Sequence, residues 1–115
     1  FRSFHRFRRD VFLPGVLFFR RRRGDLRSIF HVYYDIEGPQ LIPALYRSDE
    51  YGEQGIDYAS NHAILDDDGR IMVLVNWNSD MGDGWEHTYH PAYPTRYANA
   101  AYQLGINYLM YSLTH

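Results

Sequence analysis

Apolar positions along this chain fall into short runs whose spacing changes from one region to the next. Tyr97, Ala101, Leu104, Tyr108 and Tyr111 recur at intervals of three or four, with Ala98, Gly105 and Leu109 beside them. That period predicts an amphipathic helix over residues 96–113, with Thr95 as its N-cap. Gly105 costs about 1 kcal/mol relative to Ala inside a helix, so it is expected to mark close packing against a strand. Upstream, Ile71-Met72-Val73-Leu74-Val75 is continuous in apolar residues, the pattern of a strand covered on both faces. Asp66-Asp67-Asp68-Gly69 separates that run from His62-Ala63-Ile64-Leu65. Asp-Gly between two apolar runs predicts a β-hairpin.

The first part of the chain is less regular. Phe1, Phe4, Phe7, Val11 and Phe12 are spaced like one helix face among arginines. Residues 1–10 therefore read as the end of an Arg-rich helix that Pro14-Gly15 interrupts. This looks like an element entered partway through, so we expect a fragment whose upstream part supplies neighbouring strands. Val16 to Phe19 is a short strand candidate, stopped by the run Arg20 to Arg23. Ile29, Phe30, Val32 and Tyr33 predict one helical turn, broken at Gly38-Pro39. Leu41 to Leu45, with Pro43 inside, predicts extended chain or an edge strand. Residues 47–60 are polar, contain Gly52 and Gly55, and predict a surface loop.

At 115 residues there is room for one domain. The chain contains no cysteine, which removes disulfides, thiolate zinc sites and a cysteine nucleophile from the visible residues. All 12 basic residues are Arg. Residues 1–27 carry nine Arg against two Asp, or +7; residues 28–115 carry three Arg against twelve carboxylates, or −9. Such asymmetry can serve nucleic acid or anionic lipid. Recognition motifs for nucleic acid are absent, and nucleic acid is not an expected partner.

Candidate chemistry concentrates in Asn76 to Glu86, which combines two glycines, three carboxylates, two asparagines and two tryptophans. Glycines allow positive φ and close approach to a ligand, and ligands of open α/β sheets gather beyond the carboxyl ends of strands. Asn76, Asn78, Asp80, Asp83, Trp85 and Glu86 are the ligand-binding candidates. Asp80, Asp83 and Glu86 stand three apart, and a glycosidase places two carboxyl groups about 5–10 Å from each other. Trp77, Trp85, Tyr89 and Tyr93 would supply surfaces on which sugars stack. The structural alternative is that Asp and Asn side chains cap backbone N–H groups while the tryptophans fill the core edge.

The remaining chemistries fare worse. Asn76, Asn78 and Asp80 alternate like the start of a calcium loop, but Met81 replaces its Gly and His87 its Glu. His87 and His90 with Glu86 make half of a zinc site, and spacing reveals no third ligand. No metal is assigned. Ser48, Ser60 and Ser79 lack a nucleophile elbow. His31 and His62 sit beside apolar residues as structural histidines do. No Gly-rich phosphate loop is present, and no cofactor is assigned.

Four blocks resemble a known family: Ile29 to Ile36, Asp66 to Val73, Asn78 to Glu86, and Leu104 to Tyr111. Their order and spacing are similar to the C-terminal part of the bacterial family called domain of unknown function 4159. That family resembles class I glutamine-amidotransferase-like domains, including the trehalose-utilisation type. The resemblance implies an α/β fold, a partial flavodoxin-like sheet with flanking helices whose N-terminal half lies outside this chain. Residues 1–115 would then be the C-terminal portion of a single domain, with the missing part as its partner. The trehalose-utilisation type carries Gly-His where this chain has Asn76 to Asp80, so residues for amidotransferase chemistry are not in view. Arg27-Ser28 also departs from the family's usual His-Pro.

We thus expect an uncharacterised domain acting as a non-catalytic or polar-ligand-binding module. A bacterial-envelope or periplasmic location is implied by the resemblance alone. The alternative is a hydrolase of carbohydrate or a similar polar substrate, using Asp80, Asp83 or Glu86 as acid and base. Whether the chain is an enzyme stays open at this point.

Overall fold

A β-hairpin and a long C-terminal helix organise this small α/β fold, seen in a computed structural model that describes residues 12–13, 16–17, 26–47 and 55–115. The expected N-terminal helix over residues 1–10, the Pro14-Gly15 break, Phe18 to Arg23, and residues 48–54 of the 47–60 loop, including Ser48 and Gly52, lie outside the described residues. Strands β1 (Phe12–Leu13) and β2 (Val16–Leu17) pair antiparallel. β2 runs parallel to β3 (Ser60–Leu65) through Val16 and Asn61, and β3 pairs antiparallel with β4 (Ile71–Trp77). The sheet order is β1-β2-β3-β4, which leaves β4 at an edge.

The hairpin turn shows why Asp-Gly was the right signal. Gly69 takes φ 84°, a left-handed conformation that glycine adopts without a steric penalty. Asp66 organises the turn: one carboxylate oxygen accepts from the Asp68 and Arg70 N–H groups at 3.0 and 2.8 Å. Its other oxygen accepts from Arg70 Nε at 2.7 Å. This Arg70 contact is the main reason the Asp66 carboxyl is held below its ordinary pKa.

β4 corrects the expectation of a strand covered on both faces. Cross-strand pairs place Ala63 opposite Leu74 and Asn61 opposite Asn76 on one side, toward the C-terminal helix. Ile64 opposite Val73, and His62 opposite Val75, lie on the other. Ile64, Val73 and Val75 remain 44–52% exposed, and Met72 is exposed as well. Among the described residues, only the side toward the C-terminal helix is packed. The apolar run reflects β propensity as much as burial.

Helix α1 (Arg27–Phe30) is a single turn that takes in Ile29 and Phe30 of the expected one, while Val32 and Tyr33 lie beyond its end. Leu41 to Ala44 is extended, as one of the two expectations had it, but joins no strand among the described residues, and a short 3-10 turn follows at Leu45–Arg47. Helix α2 (Met81–Glu86) was not expected. Helix α3 (Thr95–Thr114) matches the predicted helix closely; Pro94, rather than Thr95, is its N-cap, and no side chain caps it. Ala98, Ala101, Leu104, Asn107 and Tyr111 form its buried stripe, while Leu109 points to solvent.

These elements enclose one core. Ile29, Phe30 and Ile36 meet Ile42, Met81 and Tyr93, and all pack on the α3 stripe, with Ile71 and Leu74 closing the sheet side. Asn107, fully buried, ties the α1 end to α3. Its Oδ1 accepts from the Tyr33 and Tyr34 N–H groups at 3.2 and 2.8 Å, and its Nδ2 donates to the Tyr34 carbonyl at 2.9 Å. A polar residue on an apolar stripe is tolerated there because it completes three backbone bonds.

Candidate functional site

Asn76 to Glu86 leaves β4, turns once, and enters α2. The expected glycine-hinged loop is corrected here. Asn76 and Trp77 still belong to the strand, and the left-handed residue is Asn78 with φ 57°. Gly82 and Gly84 are helical. Gly84 serves proximity instead, since a Cβ there would lie 2.5 Å from the Ala101 Cβ of α3. Gly105 answers it from the other helix: a Cβ there would stand 3.0 Å from the Trp85 ring, so Gly105 packs against α2 and not against a strand.

Most polar side chains of the segment hold neighbouring backbone. Asn78 Nδ2 donates to the Ile56 and Tyr58 carbonyls at 2.9 and 2.8 Å. Ser79 Oγ donates to the Gln40 carbonyl at 2.7 Å, and the Asp80 N–H donates to the Ile42 carbonyl at 2.7 Å. Asp80 caps α2, one oxygen accepting from the Asp83 N–H at 2.9 Å. Asp83 Oδ2 accepts from the Leu45 N–H at 2.8 Å. Gln40, Ile42 and Leu45 are thus fastened to the rim at three points, which is how an extended segment outside the described strands satisfies its backbone.

Asn76 turns inward. Its Oδ1 accepts from Asn61 Nδ2 and from the Tyr108 hydroxyl, the latter at 2.7 Å, and its Nδ2 points at Met81 Sδ, 3.1 Å away. Burial pushes the Tyr108 hydroxyl up to about 12, against the opposing pull of its bonds to Asn61 and Asn76. Tyr93 is similarly raised to about 12, by burial first and then by the charges of Asp83 and Asp80. Its hydroxyl donates to the Pro43 carbonyl at 2.8 Å, so Tyr93 offers no stacking surface.

What stays open is the outer side of α2. Trp85 is 44% exposed, Tyr89 projects into solvent and Glu86 is exposed. Trp77 is half-buried beside Tyr58, with ring centroids 5.8 Å apart. One oxygen or nitrogen from each of Asp83, Glu86 and His87 lies within 4.8 Å of the others. Asp83 Oδ1 and His87 Nε2 are 3.6 Å apart. The sequence pairs Glu86 with His87 and His90; the fold replaces His90 with Asp83. His90 Nδ1 accepts from the Ala92 N–H at 3.1 Å, and its ring centroid is 6.0 Å from that of His87. Asp83 is a ligand-binding candidate from the sequence but is not paired there with His87, because a spacing of four means proximity only on a helix.

A separate groove, lined by Asp66, Arg70, Ile71, Tyr111 and His115, opens at the other end of β4. Arg70 there is paired with Asp66 and donates to the His115 carbonyl at 3.3 Å.

The family model described as Domain of unknown function (DUF4159) matches residues 3–113. The chain belongs to this family. No curated protein and no solved structure matches it. The four blocks that carried the resemblance thus lie within one matched DUF4159 domain, and α2 with its flanking residues sits inside it. Among the described residues of this DUF4159 chain, no helix is long and apolar enough to cross a membrane.

Proposed function

We propose that this DUF4159 chain is a non-catalytic module that takes a small polar ligand on the outer side of α2, through Asp83, Trp85 and Glu86. One observation carries this reading: Asp80 and Asp83 each commit an oxygen to a backbone N–H, whereas Glu86 and much of Trp85 face solvent. A glycosidase-type hydrolase requires one carboxyl free to give a proton and a second free to take one or to attack. Asp80 and Asp83 are engaged in holding α2 and Leu45, so the hydrolase with Asp80, Asp83 or Glu86 as acid and base is the weaker reading. Asn76 and Asn78 belong to the support beneath this surface, since their amides already bond Tyr108, Ile56 and Tyr58.

The finer fold reading, a flavodoxin-like sheet whose first strands lie outside this chain, draws support from the bare outer face of β3 and β4. Sheets of that kind carry helices on both faces, and Ile64, Val73 and Val75 are exposed apolar residues that no other described element covers. Location in the bacterial envelope follows from the family resemblance and is part of the same proposal.

A thermal-shift screen of sugars and other small polar molecules tests the binding reading, because a ligand that binds only the native state raises stability by mass action. Stabilisation is expected for the wild type and for Asp67→Ala at the remote hairpin turn, and is lost in Glu86→Ala. Turnover of a chromogenic glycoside that disappears in Glu86→Ala would favour the hydrolase instead.

A further inference from the structure

Deepening the polar-ligand reading of α2, on which it rests, we propose that Asp83, Glu86 and His87 bind a divalent transition-metal ion of the zinc type. The donor set is mixed, with two carboxylates and one imidazole, and it is assembled by a single helical turn. Nitrogen and oxygen donors together suit zinc and its neighbours, whereas calcium takes six to eight oxygens.

The spacing fits the chemistry. Two donors each about 2.1 Å from one ion at a tetrahedral angle stand about 3.4 Å apart. Asp83 Oδ1 and His87 Nε2 are separated by 3.6 Å, beyond hydrogen-bond length and near that donor separation. The third donor lies within 4.8 Å of both, on an exposed glutamate free to close the remaining distance.

The surroundings orient this pair in the way ligating side chains are held. The second oxygen of Asp83 is fixed by the Leu45 N–H at 2.8 Å, which turns Oδ1 toward His87. Outer contacts of this kind set the direction of a metal-bound carboxylate. Asp83 and His87 are each 23% exposed, partly shielded yet reachable. The Tyr93 ring, with its centroid 6.3 Å from that of His87, lines one side, and its hydroxyl is turned away to Pro43. Three protein donors leave the remaining positions of the ion to water or to an oxygen of the polar ligand.

Calorimetric titration of the tag-free, chelator-treated full chain with zinc chloride tests this. The expected result is one ion per chain, with affinity reduced about tenfold or more in His87→Ala and in Glu86→Gln. Asp83→Asn keeps an oxygen for the Leu45 N–H, and circular dichroism checks its fold while its zinc affinity falls. His90→Ala and His115→Ala retain full affinity, and calcium at millimolar concentration does not compete. Absence of binding, or binding that survives both His87→Ala and Glu86→Gln, would overturn the site. A sugar that stabilises the wild type equally well with chelator present would leave the polar-ligand reading standing while the metal fails. Zinc binding with no response to any sugar would do the reverse.

Discussion

Adding a single methyl group at Gly84 probes the crossing of α2 and α3. A Cβ at this position would meet the Ala101 Cβ at 2.5 Å and Ile42 Cγ2 at 3.3 Å. Comfortable carbon–carbon separation is about 3.5–4.0 Å, so α2 and α3 must part by about 1 Å. Neither neighbour can give way cheaply, because Ala101 is fully buried with its Cβ fixed to the backbone, and Ile42 is 1% exposed. Overpacking of this kind costs about 1–3 kcal/mol, and a rigid site lies toward the upper end. Ala gains about 1 kcal/mol over Gly in helix propensity. The strain wins, leaving Gly84→Ala destabilised by about 2 kcal/mol, equivalent to a drop in Tm of about 8 °C for a domain of this size. Gly105→Ala is the comparison, since its new methyl would meet only the Trp85 ring, at 3.0 Å, and that ring is half exposed and able to shift. It should stay within about 0.5 kcal/mol of the wild type, because propensity offsets the contact. Urea unfolding monitored by circular dichroism reads both. A Gly84→Ala protein as stable as the wild type would refute the close crossing of α2 and α3.

Other consequences follow from the same contacts. Asn107→Leu strips three backbone partners from Tyr33 and Tyr34 and should cost about 3 kcal/mol in urea unfolding, whereas an unchanged midpoint would remove Asn107 from the core account. The raised pKa values of Tyr93 and Tyr108 set an alkaline limb. Their native hydroxyls hold the proton to about 12 while the unfolded chain releases it near 10.0, so the stability they confer is complete below that value and falls as pH rises toward about 12. Tyr93→Phe and Tyr108→Phe should each flatten this limb in a pH series of urea midpoints. At the acid end the sign reverses. Asp66 titrates below 3.8 in the native state, so the hairpin keeps its benefit above that pH and loses it as the carboxylate takes up a proton; carbon-detected NMR titration of Asp66 with and without Arg70→Ala reads the shift.

The hairpin and α3 were legible because each writes its own period into the sequence. Asp66 to Gly69 names its turn, and the tyrosines and alanines of residues 96–113 repeat at helical spacing. Helix α2 was not legible. Met81-Gly82-Asp83-Gly84-Trp85-Glu86 contains two glycines that each oppose a helix by about 1 kcal/mol, so propensity reads it as a loop. Tertiary contact reverses this, with Asp80 capping the first turn and Gly84 letting the helix settle onto Ala101. The candidate site suffers the same blindness. Asp83 and His87 become neighbours only once α2 exists. The apolar run of β4 misled in the opposite sense, because continuous Ile, Met, Val and Leu fit an edge strand packed on one side as readily as a buried one. Asn107 did leave a signal, three residues after Leu104 and four before Tyr111 on the buried stripe.

Urea unfolding of Asp80→Ala and Asp83→Ala bears most directly on whether these carboxylates support the fold or perform chemistry. Groups that hold a cap or a buried N–H stabilise the native state, whereas catalytic groups are commonly kept at some expense of stability. The structure predicts that each substitution lowers stability by about 1–2 kcal/mol. Unchanged or increased stability in both variants would contradict the account and return these two aspartates to the list of candidate acids and bases.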